Sequence, residues 1–138
     1  MATPNPSPRL LLLPTLPAVQ EGDRLILTAK FRSGWQAFVD AWPGPVDTLF
    51  RPIAETTNNL DNTAYRSREL PGRAVVAPFD STRARQAIGE ADLVLGGTVV
   101  EQLALAELAG ERGVPFVATT EYSVETRCQI ARAEVRNP

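Results

Sequence analysis

The chain has 138 residues, 43% hydrophobic and 22% charged, enough for one globular domain with an ordinary core. Its net charge is −2 and its 14 basic residues are scattered, which disfavours nucleic acid or an anionic membrane surface as the main partner. It contains no histidine and one cysteine, Cys128, which excludes Ser-His-Asp and Cys-His triads, the usual zinc sites and an intramolecular disulfide.

Met1 to Pro8 lacks the charged start and long apolar core of a secretion signal, and no stretch reaches the ~18 apolar residues of a membrane span. We expect a cytoplasmic protein with a short, mobile, Pro-rich leader over residues 1–9. Leu10-Leu11-Leu12-Leu13 is a continuous apolar run ended by Pro14, as for a strand buried on both faces. Pro14, Pro17 and Gly22 make residues 14–23 a loop. Arg24 to Thr28 reads as a short strand whose pairing stays open.

Trp35, Phe38, Val39 and Trp42 follow at i, i+3, i+4 and i+7, the stripe of an amphipathic helix, with Ser33 as its expected N-cap. Pro43-Gly44-Pro45 stops that helix, and Val46 to Phe50 is the next strand. Residues 51–71, with Asn58-Asn59, carry no periodic pattern and read as a functional or disordered loop. A strand over Ala74 to Ala77 precedes a helix over Thr82 to Ile88, capped by Asp80 or Ser81.

The strand Asp92 to Leu95 then leads into a Gly96-Gly97 turn and a helix over Val99 to Arg112, with Val99, Leu103, Ala106 and Gly110 on one face. Gly113 suits the position after that helix. The strand Val114 to Ala118 empties into Thr119-Thr120-Glu121-Tyr122-Ser123, and a last helix from Val124 to Arg136 aligns Val124, Cys128, Ala131 and Val135. This alternation predicts an α/β class, a three-layer Rossmann-like domain with a mostly parallel sheet and helices on both faces.

In such a sheet ligands bind at the carboxyl edge, where the two loops after Leu95 and Ala118 emerge. Gly96, Gly97 and Thr98 either admit a ligand to backbone N–H groups that attract an anion, or simply make a tight turn with Thr98 as cap. Glu121, Tyr122 and Arg127 either grip a polyhydroxylated or anionic ligand, or form an internal Glu121–Arg127 ion pair. Lys30 and Arg32 oppose the dipole of the helix they begin, which points to a further purpose or to solvated surface charge. Trp35 and Trp42 are expected in the core, as is Cys128. The glycine fingerprint of a dinucleotide-binding domain is absent after Leu13.

Lys30-Phe31-Arg32-Ser33-Gly34, Trp42-Pro43-Gly44-Pro45-Val46, Asp92-Leu93-Val94-Leu95-Gly96-Gly97 and Thr120-Glu121-Tyr122-Ser123-Val124-Glu125-Thr126-Arg127 together resemble the N-terminal domain of bacterial GT-B-fold glycosyltransferases, nearest to the retaining family 4 type. The resemblance spans most of residues 10–136. It implies two Rossmann-like domains facing a cleft, a sugar or glycan acceptor on the N-terminal side and a nucleotide-sugar donor on the C-terminal side. The Gly96-Gly97 turn and the Glu121-Tyr122 loop then line the acceptor side, and neither metal nor cofactor is needed. Because the donor domain has no counterpart in this sequence, the chain is expected to act as an acceptor half, inactive alone. The competing expectation is a non-catalytic α/β module that binds a small anion, a partner chain or a second copy through a sheet edge.

Overall fold

Three consecutive leucines, Leu10–Leu12, form the central strand β1, and their alternating side chains enter two separate cores. The computed structural model describes residues 6–56, 59–120 and 124–136. After β1 come β2 (Val19–Glu21), β3 (Arg24–Thr28), α1 (Ala29–Ala41), β4 (Val46–Phe50), β5 (Asn62–Arg66) and β6 (Ala74–Val76). They are followed by α2 (Thr82–Glu90), β7 (Leu93–Gly97), α3 (Leu103–Glu111), β8 (Phe116–Thr119) and α4 (Val124–Arg136).

The main sheet has five strands in the order β6-β4-β1-β7-β8, every neighbouring pair parallel. Counted along the chain within this sheet, the order is 3-2-1-4-5, the doubly wound Rossmann arrangement, whose direction reverses between β1 and β7. On one face Leu11, Leu49, Val75 and Val94 pack against Ala84 and Ile88 of α2 and Leu105 and Ala109 of α3. On the other, Leu10, Leu12, Val46 and Phe50 pack against Trp35 of α1 and against Leu25 and Leu27 of β3. The domain is therefore α/β, with helices on both faces of a parallel sheet.

Trp35 anchors the second core. It is fully buried, its Nε1–H donates to the Val46 carbonyl at 2.9 Å, and its ring meets Phe50 edge-on with centroids 6.2 Å apart. Trp42, half-buried, donates to the Pro8 carbonyl. Arg9 is tied down as well: its backbone N–H donates to Asp92 Oδ2 at 2.7 Å and its guanidinium meets Asp47 Oδ2 at 2.5 Å. Pro8 and Arg9, just ahead of β1, are thus held against the domain.

Several expectations are corrected. Residues 14–23 contain β2, and the patternless 51–71 segment contains β5, which pairs antiparallel with all five residues of β3. This three-stranded sheet escapes detection because of β5's five residues only Asn62 and Tyr65 are half-buried, so no apolar alternation arises. Helix α1 begins at Ala29, and its cap, five residues before Ser33, is Thr28, whose Oγ1 accepts from the Phe31 N–H at 3.1 Å. Asp61 completes the cap, accepting from the Lys30 N–H at 3.1 Å and placing a carboxylate at the positive helix end.

The segment after β7 starts as a 3-10 turn over Val100–Gln102 and becomes α3 only at Leu103. Its sequence is apolar almost all round, so periodicity cannot choose the buried face. Leu105 and Ala109 go inward, while Leu103 is 59% exposed. Gly113, at φ +70°, does follow α3 as expected of that glycine. Cys128 is exposed rather than buried, as are the side chains from Cys128 to Val135 along α4. Among the described residues, no helix is long and apolar enough to cross a membrane.

Charge holds the amino edge of the sheet. Asp47, nearly buried, meets both Arg9 and Arg73, and Arg73 reaches Glu90 at the end of α2 at 2.8 Å. The hydrogen bond from Arg73, aided by one from Gln86, holds the Glu90 carboxyl below its ordinary value of 4.5. A carboxyl with a depressed folded pKa stabilises the fold fully above its unfolded pKa, and that contribution disappears as pH falls through the folded value. We therefore expect Glu90→Gln to lower the urea midpoint slightly at pH 7 and to flatten its decline below about pH 4.5, so that variant and parent converge in acid.

Thr48 Oγ1, fully buried in β4, has no hydrogen-bond partner. Thr48→Val keeps the shape and removes an unsatisfied hydroxyl. It should stabilise the protein by about 1 kcal/mol, read as a higher urea midpoint with an unchanged slope.

Candidate functional site

The reversal of strand order opens a groove at the carboxyl ends of β1 and β7. Its walls are Leu12 to Thr15 from β1 and the following loop, Leu95 to Val99 from β7 and its loop, Thr119 at the end of β8, and Phe31 and Phe38 from α1. The groove measures about 390 Å³, within the range of small-molecule sites. None of the described residues lining it is charged.

One side chain sets the spacing of the two loops. Gln102, 1% exposed, donates from Nε2 to the Leu13 carbonyl at 2.9 Å and to the Pro14 carbonyl at 3.4 Å. Its Oε1 accepts from the Gly97 N–H at 2.8 Å. A buried amide that satisfies three backbone groups at once fixes the groove floor from below. The Thr119 hydroxyl adds a bond across to the Gly96 carbonyl at 3.3 Å.

The glycines thus have different work from that expected. Both belong to β7, paired with Ala118 and Thr119, rather than to a turn beyond it. A Cβ on Gly96 would lie 2.6 Å from Gln102 Oε1 and 2.6 Å from Phe116 Cζ, so a side chain is excluded there by packing. The Gly97 N–H, a candidate for anion binding, is already taken by Gln102. Thr98 is no helix cap: the residue before the 3-10 turn is Val99, and its side chain makes no capping bond. Gly97 and Thr98 do line the groove.

Lys30 is exposed in the first turn of α1 and does not line the groove. Arg32 has a structural task. Its guanidinium donates twice to the Glu69 carbonyl, at 3.1 and 2.7 Å, and stacks 5.4 Å above Tyr65, clamping α1 to the small sheet. Glu121 and Tyr122 lie outside the described residues, as does the side chain of Arg127, whose backbone belongs to α4.

Sequence reasoning did not place Thr15, Phe31 or Phe38 in the groove wall, nor Gln102 beneath it. The last was detectable. Gln102, Leu105 and Ala109 share a helical face at i, i+3 and i+7, and a polar residue in a buried stripe is the anomaly to pursue. No protein-family model matches the chain, and comparison with curated proteins gives no match.

Gly96→Ala should cost about 1–3 kcal/mol, because Gln102 and Phe116 must both yield. Gly97→Ala, whose Cβ would meet only the Thr15 methyl at 3.2 Å, should cost less. Thermal melts of the two variants, with Gly96→Ala also placed in a Gln102→Ala background to relieve the clash, check the assignment.

Proposed function

We propose that this chain is the acceptor-binding domain of a GT-B-type glycosyltransferase, in which the groove at the β1/β7 reversal receives the molecule to be glycosylated. One observation carries the reading. An uncharged groove of ligand size lies at the switch point of a 3-2-1-4-5 parallel sheet, the place where such sheets bind ligands. The four sequence segments quoted above supply the family resemblance.

Sugar transfer from a nucleotide donor leaves negative charge on a departing diphosphate, and oriented cations or N–H donors must stabilise it. The described groove residues offer no cation, and the Gly97 N–H is engaged. In this reading the groove presents the acceptor hydroxyl, and a donor-binding domain facing it supplies the charge stabilisation. A cytoplasmic setting goes with that role.

A second reading, a non-catalytic module that holds a partner chain, is favoured by a different observation. Val100 and Leu103 are 86% and 59% exposed and lie with Phe116 and Ala118 in a mostly apolar groove beside edge strand β8. Calorimetric titration with simple glycosides and with nucleotide sugars separates the proposals. The acceptor reading expects glycosides to bind at least tenfold more tightly than nucleotide sugars. The reverse order, or no binding together with concentration-dependent association in light scattering, supports the module instead.

A further inference from the structure

We infer that the acceptor taken by this groove is an uncharged amphipathic alcohol, a hydroxyl-bearing head carried on an apolar body. The inference rests on the acceptor reading for the ligand's role and on the groove's own lining for its chemistry.

The groove combines three hydroxyls with an apolar wall. Thr15, Thr98 and Thr119 stand at the carboxyl ends of β1, β7 and β8, and so at the mouth. Phe31 lies in the first turn of α1, and Phe38 two turns further on. Seven residues of helix advance about 10 Å, so an aromatic wall runs from the mouth toward the amino edge of the sheet. Leu12 and Leu95 face it from the strands.

Each alternative ligand leaves something unpaired. A free polyhydroxylated glycan lying along this wall would strip water from several hydroxyls with no donors or acceptors beside the two phenylalanines. An anion would lose its hydration without meeting a cation among the described lining residues, and the strand-end N–H of Gly97 already donates to Gln102. An apolar chain or ring along Phe31 and Phe38 loses nothing by leaving water, and its hydroxyl head remains among the threonines. Phe38 is itself 41% exposed, an aromatic side chain on the groove wall with surface left to cover.

The test compares octyl β-D-glucoside with methyl β-D-glucoside, identical in head group, by amide shift mapping of the whole chain below the octyl glucoside's aggregation concentration. The octyl compound should bind at least tenfold more tightly, with the largest shifts at Phe38, Leu95, Gly97 and Thr119. Phe38→Ala should weaken it several-fold and Phe38→Glu should abolish it, both with melting temperatures close to that of the parent. Equal binding of the two glucosides in the groove would overturn the amphipathic assignment and leave the acceptor reading standing. If neither glucoside shifts these amides, both fall. Octyl sulfate binding as tightly as octyl glucoside, or persistence of binding in Phe38→Glu, would mean surfactant adsorption and overturn the inference.

Discussion

The structure depends on one constraint, that β1 has no polar face. Leu10 to Leu12 cannot show either side to water without leaving large apolar groups exposed, so layers must form above and below. Helices α2 and α3 take one side through Leu11 and its neighbours. Helix α1 and the small antiparallel sheet take the other through Leu10 and Leu12. With β1 central, β4 and β6 extend the sheet in one direction and β7 and β8 in the other. The reversal of order that opens the groove follows from that central placement.

Inside the groove, neutral hydrogen bonding sets the geometry. Gln102 joins the loop after β1 to the last residue of β7, and Gly96 lacks a side chain because that amide and the Phe116 ring occupy its space. A pattern that read either as a turn open to anions or as a tight turn is a packed strand end. What remains accessible above it is hydrocarbon with a few hydroxyls, and the choice of ligand follows from what that surface can leave unpaired.

The β1 run was legible because burial on both faces makes a strand continuously apolar, as in Leu10-Leu11-Leu12-Leu13. Helix α2 was legible because Ser81 caps it directly, its Oγ accepting from the Ala84 N–H at 3.2 Å. β5 was not, since Asn62-Thr63-Ala64-Tyr65-Arg66 owes its conformation to backbone pairing with β3 and little to side-chain burial. The face of α3 was misread because a segment apolar all round gives no phase. The position of the groove was visible in Gly96-Gly97 at a strand end, but its wall from Phe38 was hidden within a helical stripe that also serves the core. Lys30 drew notice as a charge against a helix dipole, and the local answer is the Asp61 carboxylate.

The two edges of the sheet are held by different forces. At the amino edge Arg9, Asp47, Arg73 and Glu90 link the starts of β1, β4 and β6 to the end of α2 by charge. At the carboxyl edge Gln102 and Thr119 make uncharged bonds. Salt weakens the first kind, most of all between Arg73 and Glu90, which are half in solvent, and leaves the second nearly untouched. As ionic strength rises the domain therefore loosens from the end remote from the groove, and the groove is the part of the sheet whose shape is least dependent on the surrounding electrolyte.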